Sequence, residues 1–199
     1  MVTVDAYLGL GSRYSYLAFT QFAGIEARHE CRIRLIPLSS VELMALRGTS
    51  PFRGAPVSGQ YDWGYRRRDA EDWAAYYGVP YREPETLPED HELMARACIA
   101  ADRQDRLRDY VARIFSAVFV EVREITASVC TELAAACGLD LQRFVRDLED
   151  RATSAQATAN AREALERGVF GVPTFVIGDR MFWGNDRLVL LEHALGQRA

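Results

Sequence analysis

The segment that decides the fold is Gly168-Val169-Phe170-Gly171-Val172-Pro173-Thr174-Phe175-Val176-Ile177-Gly178. It follows a predicted helix from Gln156 to Arg167, and Gly168 stands where glycine favours a helix end. Pro173 cannot donate a ladder hydrogen bond, so we place it at the start of a strand, Thr174–Ile177. An X-Pro bond between a turn and a strand is also the kind of site where a cis peptide bond is found. A cis Val172-Pro173 bond leaves the N–H and C=O of Val172 facing a cleft, free to pair with an extended peptide ligand.

The N-terminal residues predict a strand, a helix and a second strand. The run from Thr3 to Leu10 alternates well enough for a buried strand. Gly11-Ser12 interrupts it, and a helix is expected from Arg13 to about Arg28. The segment Cys31–Leu38 then predicts another strand. A βαβ unit of this length implies a parallel strand pair with a right-handed crossover.

Three ordered motifs carry a resemblance to a known family. They are Gly11-Ser12-Arg13-Tyr14-Ser15-Tyr16-Leu17-Ala18, Tyr65-Arg66-Arg67-Arg68-Asp69-Ala70-Glu71-Asp72-Trp73-Ala74, and the opening segment with Phe182-Trp183-Gly184-Asn185-Asp186-Arg187-Leu188. Together they resemble the 2-hydroxychromene-2-carboxylate isomerase family, which is related to kappa-class glutathione transferases and to DsbA-like proteins. The resemblance implies an α/β fold: a thioredoxin-like (DsbA-like) domain of residues 1–38 and 169–199, interrupted by a helical insertion domain of residues 39–168.

The residues between the two thioredoxin-like segments have helical periodicity. The predicted helices there are Glu89–Ala101, Arg103–Val120, Thr126–Cys137 and Asp140–Asp150. The stretch Thr49–Trp63 is rich in proline, glycine and serine and has no periodicity, so it predicts a loop. The resemblance implies that this loop reaches over the site for a thiol peptide.

Composition and charge limit the classes of function. The 199 residues are 49% hydrophobic and 26% charged, which predicts one globular unit with a sizeable core. A net charge of −4 gives no electrostatic reason to expect nucleic acid. We expect no signal peptide before Thr3 and no membrane span, and therefore a cytoplasmic protein with a small-molecule substrate. The resemblance implies a homodimer.

The four cysteines, Cys31, Cys98, Cys130 and Cys137, show neither C-x-x-C nor metal-ligand spacing. We expect buried thiols in a reducing compartment and no metal. Thioredoxin-fold oxidoreductases carry their redox pair at the start of the first helix. Here those positions hold Ser12 and Ser15, so this site cannot perform disulfide exchange.

Ser12 is the candidate catalytic residue. A helix N-terminus carries unpaired N–H groups and the equivalent of about half a positive charge, so it stabilises an anion. The resemblance implies that the anion is the thiolate of glutathione, the expected cofactor, to which the Ser12 hydroxyl donates. Both effects lower the pKa of the thiol. The alternative is that Ser12 is an ordinary N-cap, and both roles can hold. We expect Ser15 to be structural.

Other residues are expected to bind glutathione. Val172 and Pro173 are the peptide contact of the opening segment. The resemblance implies that Asp186 pairs with the γ-glutamyl ammonium group and that Asn185 adds an amide contact. The alternative for Asp186 is capping of a final helix from Arg187 to Leu195.

Two positions depart from the family pattern. Arg13 replaces the proline that follows the catalytic serine, and Asp62 replaces a lysine that contacts the tripeptide. The family's Asn-x-Pro loop is Thr49-Ser50-Pro51 here, and Arg53 or Arg66 are candidates to compensate. We expect Arg13 to point towards the cleft, where only an anion, a thiolate or a substrate carboxylate, offsets its charge.

Three functions are compatible with these residues. The first is a glutathione-dependent cis–trans isomerase of an aromatic-degradation intermediate, with an arginine binding the carboxylate of an α-keto acid. The second is a kappa-like glutathione transferase. The third is a DsbA-like binding protein that has lost both redox and glutathione use, which failure to bind any thiol would support.

Overall fold

A four-stranded mixed sheet joins the two ends of the chain. The computed structural model describes residues 1–48, 62–86, 88 and 90–197. The strands are β1 (Thr3–Gly9), β2 (Arg32–Leu38), β3 (Thr174–Ile177) and β4 (Arg180–Trp183), in the order β2-β1-β3-β4. β1 and β2 are parallel, whereas β1–β3 and β3–β4 are antiparallel. The predicted βαβ unit and the predicted strand Thr174–Ile177 are confirmed.

The remaining described chain is largely helical. The first helix, α1 (Arg13–His29), crosses between β1 and β2, and the last, α9 (Leu188–Gly196), follows a short 3-10 helix, Asn185–Arg187. Between them lie α2 (Ser40–Arg47), α3 (Trp63–Tyr77), α4 (His91–Asp102), α5 (Leu107–Phe119), α6 (Ala127–Ala136), α7 (Leu141–Glu149) and α8 (Arg151–Glu166). The described part of residues 39–168 contains no strand, as expected for a helical insertion.

Three helix assignments differ from the sequence predictions. Neither α2 nor α3 was assigned, although Ser39 and Glu42 have the spacing of a capping box; the Ser39 hydroxyl accepts from the Glu42 N–H at 3.2 Å. α8 starts five residues before the predicted Gln156, because the Asp150 carboxylate caps it by accepting from the Ala152 N–H at 3.0 Å. Most of the predicted loop Thr49–Trp63, including Thr49-Ser50-Pro51 and Arg53, lies outside the described residues.

Both faces of the sheet are buried. On one face Phe175 packs edge-on against Phe22 of α1, with ring centroids 5.9 Å apart. On the other face Tyr7 and Val176 belong to an apolar cluster with Leu43 of α2 and Ala164 of α8. Burial of a large apolar side chain contributes about 1.5–3 kcal/mol to stability. The sheet therefore holds the start of α1 and the turn before β3 at fixed positions, and the candidate site lies there.

The four cysteines are free thiols. Cys31, Cys98 and Cys130 are buried, as predicted, and Cys137 is half-buried. Within the described ranges, no group of three or more histidine, cysteine or acidic side chains is arranged to hold a metal ion. None of the described helices combines the length and apolarity that crossing a membrane requires.

An ion-paired carboxylate lies near the start of β1. Asp5 is 8% exposed; it accepts from Arg34 Nε at 2.7 Å and from Arg167 Nη1 at 2.5 Å. Burial alone raises the pKa of Asp5, but the hydrogen bonds and charges of the two arginines outweigh it and lower this pKa. The ionised carboxylate is therefore the form that the fold stabilises.

We expect Asp5→Asn to reduce the free energy of unfolding at neutral pH by about 1–2 kcal/mol, because two charged donors lose their anionic acceptor. The lowered pKa makes this contribution present above the ordinary aspartate pKa of about 3.9 and lost as the pH falls through the lower folded value. Urea unfolding from pH 7 to pH 2 measures it. A difference between wild type and Asp5→Asn that stays constant over this range contradicts the assignment.

Candidate active site

The turn between β1 and α1 places Ser12 at the N-terminus of α1. The Ser12 Oγ accepts from the Ser15 N–H at 3.3 Å, and the Ser12 N–H donates to the Gly9 carbonyl at 3.0 Å. Ser12 is therefore the N-cap, as one of the two predicted roles requires. Accepting this bond uses a lone pair and leaves the hydroxyl proton for a separate acceptor. The half-buried Ser12 can both cap the helix and donate to an anion.

Ser15 fixes the same turn from inside. It is fully buried, and its Oγ accepts from the Gly9 N–H at 3.3 Å. Since the Gly9 carbonyl accepts from Ser12, both backbone groups of Gly9 are bonded to the first turn of α1. The structural role predicted for Ser15 agrees with this geometry.

The Val172-Pro173 peptide bond lies directly beside this turn and is cis, as predicted. A Cβ on Gly9 would lie 2.8 Å from Val172 Cγ2, so only glycine allows the two segments to approach this closely. The turn before β3 and the turn before α1 are thus packed against each other.

The segment after β4 forms a third wall. Gly184 has a φ of 106°, and the 3-10 helix follows it. Asn185 is 3% exposed, and its Nδ2 has no hydrogen-bond partner among the described residues. The exposed Asp186 carboxylate lies 3.3 Å from Arg187 Nη1. The alternative that Asp186 caps the final helix is wrong, because α9 begins at Leu188 with no side-chain cap.

A cavity of about 390 Å³ lies between these segments and α3. Four of the six predicted site residues line it: Val172, Pro173, Asn185 and Asp186. Ser12 and Arg13 are not among its described lining residues, although Tyr14, two residues after Ser12, is. A larger recess of about 700 Å³ adjoins it and shares Trp73, Asn185 and Asp186.

Tyr14 links the first motif to the middle motif. Its hydroxyl donates to Asp69 Oδ2 at 2.6 Å, and the Arg66 guanidinium lies 5.1 Å from the centre of its ring. Burial and the hydrogen bond to Asp69 raise the pKa of Tyr14 well above its ordinary value, so the phenol stays neutral. Sequence reasoning assigned no role to Tyr14 or Asp69. The signal was present, because both belong to the motifs that carry the resemblance.

We expect Tyr14→Phe to reduce stability by about 1.5–3 kcal/mol, because the Asp69 carboxylate loses a hydrogen-bond donor in a part-buried position. Urea unfolding of Tyr14→Phe, Asp69→Asn and the double variant measures the coupling free energy between the two side chains. Strictly additive losses contradict a direct bond between them.

Arg13 is buried and ion-paired within the chain. It is 3% exposed; its Nη2 lies 2.6 Å from Glu83 Oε1, and its guanidinium lies 5.3 Å from the centre of the Trp63 ring. The Tyr81 hydroxyl also donates to Glu83. The expectation that only a ligand anion offsets the Arg13 charge is therefore wrong, because Glu83 supplies the negative charge. Its Nη1 is buried without a hydrogen-bond partner among the described residues.

Asp62, which occupies the position of a family lysine, has a structural role. It is the N-cap of α3, and its Oδ1 accepts from the Tyr65 N–H at 2.8 Å. Of the two arginines proposed to compensate for the lysine, Arg66 lines the 390 Å³ cavity. The α3 helix therefore has a positive charge in the cavity wall at Arg66, one helical turn after Asp62.

Comparison with known proteins agrees with this architecture. The DSBA-like thioredoxin domain matches residues 3–196. The 2-hydroxychromene-2-carboxylate isomerase of Pseudomonas putida is 29% identical over 98% of this chain and 94% of its own length. A solved 2-hydroxychromene-2-carboxylate isomerase is 27% identical with a TM-score of 0.86, covering 98% of this chain and 95% of that chain.

A more distant solved structure is similar in fold. The cytosolic disulfide reductase DsbM from Pseudomonas aeruginosa, solved with GSH, is 21% identical with a TM-score of 0.64. The match covers 98% of this chain and 100% of that chain.

Proposed function

This chain belongs to the family of DSBA-like thioredoxin domains, and on that premise we propose that it is a glutathione-dependent cis–trans isomerase. Its substrate is an aromatic-degradation intermediate of the 2-hydroxychromene-2-carboxylate type. This is the compound that appears in the names of its relatives. The observation that carries the proposal is the turn that ends in the serine N-cap of α1, whose Gly9 is packed against Val172. Ser12 and Ser15 occupy the positions of the redox cysteines of thioredoxin-fold oxidoreductases. The site can therefore donate a hydrogen bond from a hydroxyl to a thiol, but it cannot form a disulfide with it.

The N-terminus of α1 supports binding of a thiolate. Ser12 donates its hydroxyl proton to the anion, and the unpaired N–H groups of the first turn add their positive potential. When bound, glutathione supplies a thiolate that adds reversibly to a conjugated enone and leaves after a single bond has rotated. Ser15 and Gly9 keep the turn rigid through their hydrogen bond.

The 3-10 helix supports binding of the γ-glutamyl end of glutathione. The Asp186 carboxylate is exposed in the cavity wall and can pair with an ammonium group. The buried Nδ2 of Asn185, which has no protein acceptor among the described residues, can donate to a ligand carboxylate. The Asp186 carboxylate matches the ammonium group of an amino-acid terminus, and the Asn185 amide N–H matches its carboxylate. The residues present therefore fit glutathione.

The arginines support an anionic substrate. Arg66 and Arg187 both line the cavity and offer guanidinium donors in the geometry that matches a carboxylate. Arg13 is ion-paired with Glu83 and is not among the described residues that line the cavity. We therefore assign the substrate carboxylate to the two arginines of the cavity wall, Arg66 and Arg187.

The proposal includes a reducing cytoplasmic compartment and a homodimer. Four free thiols support the first, and the resemblance to the isomerases is the support for the second. Size-exclusion chromatography with light scattering distinguishes a dimer from a monomer.

The activity is tested with 2-hydroxychromene-2-carboxylate followed by absorbance. We expect isomerisation with glutathione, and none above background without it or with S-methylglutathione, which lacks a free thiol. Conjugation of glutathione to an aryl halide, measured in parallel, identifies a transferase. Glutathione-independent isomerisation, or conjugation alone, contradicts the proposal.

A further inference from the structure

His91, the first residue of α4, lies directly behind the turn that carries Ser12. A Cβ on Gly11 would lie 2.7 Å from His91 Cε1, 3.2 Å from Nδ1 and 3.4 Å from Nε2. Three atoms of the imidazole ring are therefore close to the Gly11 backbone, one residue before Ser12. The backbone of Gly11 is not in the left-handed conformation that favours glycine. The obstacle to a side chain at this position is therefore the His91 ring.

The imidazole ring is held in place by hydrogen bonds. His91 Nδ1 lies 3.1 Å from Ser40 Oγ at the start of α2. Burial lowers the pKa of His91, while the Asp90 carboxylate and a hydrogen bond to the Pro88 carbonyl oppose this effect. The 3.1 Å contact between Nδ1 and the Ser40 hydroxyl joins the ring to the start of α2.

Ser40 extends this contact to the other half of the site. A Cβ on Gly9 would lie 3.5 Å from Ser40 Cβ, 3.5 Å from Ser40 Oγ and 2.8 Å from Val172 Cγ2. Gly9 therefore lies close to both Ser40 and Val172, while His91 lies against Gly11. The contacts form one continuous path from α4 to both segments of the candidate thiol site.

We propose that His91 is a positioning residue for the thiol chemistry: its ring, fixed by Ser40, holds the Gly9–Ser12 turn so that the Ser12 hydroxyl and the first N–H groups of α1 point at the thiol. This inference rests on the proposed function. His91 does not touch the reacting atoms; it acts through the position of Ser12. Sequence reasoning gave no role to His91, because it lies 79 positions after Ser12 in the chain.

The first test compares His91→Ala with Leu148→Ala, which removes a buried side chain of α7 away from the turn. We expect His91→Ala to raise the pKa of the bound glutathione thiol, measured by thiolate absorbance. It should lower kcat about tenfold to a hundredfold, because displaced catalytic groups lose transition-state contact, with little change in KM. Leu148→Ala should lose stability without these changes. An unchanged thiol pKa in His91→Ala, or the same shift in Leu148→Ala, overturns the inference.

Gly11 allows a second test by compensation. Gly11→Ala places a methyl group against the His91 ring and should lower kcat. The double variant Gly11→Ala/His91→Ala should lose less than the two single losses combined, because the clash between the methyl group and the ring is absent. Additive losses in the double variant contradict the contact. His91→Phe, which keeps the ring but loses the hydrogen bond with Ser40, should lower kcat about three- to tenfold; wild-type kcat in this variant removes Ser40 from the inference.

These outcomes are separable from failure of the proposed function. If wild-type protein binds no glutathione, the proposed function is wrong. If wild type binds glutathione with a lowered thiol pKa and the His91 variants match it, only the positioning role is wrong.

Discussion

Ser12→Ala is expected to lower kcat by about tenfold to a hundredfold, because a hydrogen bond from a hydroxyl to an anion contributes about 1.5–3 kcal/mol. The fold should be retained. Loss of the N-cap bond to the Ser15 N–H costs about 1 kcal/mol of stability, which is small beside the total for a protein of this size. Kinetics with glutathione in excess and urea unfolding of the same sample measure the two effects.

Ser12→Thr is the matched control, because threonine keeps the hydroxyl and caps helices nearly as well as serine. It should retain most of the activity that Ser12→Ala loses. Full activity in Ser12→Ala together with an earlier melt would show that Ser12 is only a cap.

Arg13→Leu is expected to reduce the free energy of unfolding by about 3–5 kcal/mol, the largest stability effect predicted here, because it leaves the Glu83 carboxylate buried without its cation. The Arg13 and Glu83 side chains are only 4% and 6% exposed. Adding Glu83→Gln to Arg13→Leu removes the uncompensated charge and should recover most of the loss. Urea unfolding of the single and double variants measures both changes.

Arg28→Leu provides the control for an exposed pair. Its Nη2 lies 2.9 Å from Glu192 Oε2, but the Arg28 side chain is 57% exposed. Such pairs contribute about 0–1 kcal/mol. If Arg13→Leu reduces the free energy of unfolding by no more than Arg28→Leu does, the stabilising role of the buried Arg13–Glu83 pair is contradicted.

The elements that local sequence patterns determine were predictable. Gly168 and Pro173 fix a helix end and a strand start through backbone geometry alone, and the structure has both. The same holds for the α1 N-cap, since Ser12 precedes an apolar helical stripe. The capping box of α2 was equally local, and α2 could have been predicted from Ser39 and Glu42.

The partners of the site residues were not predictable, because they depend on how distant segments approach. Arg13 pairs with Glu83, Tyr14 with Asp69, and His91 packs on Gly11, each across at least 55 residues. A charge at a helix N-terminus predicts that some anion is nearby. It does not say whether the anion is a ligand or a side chain, and for Arg13 it is Glu83.

The ionisation of glutathione on the protein tests the central claim most directly. Thiolate absorbance of glutathione, titrated against pH with saturating protein, gives the pKa of the bound thiol. The account predicts a value below that of free glutathione in wild type, moving back towards the free value in Ser12→Ala while the affinity for S-methylglutathione is unchanged. Absence of glutathione binding, or a bound thiol with the pKa of the free tripeptide, contradicts it.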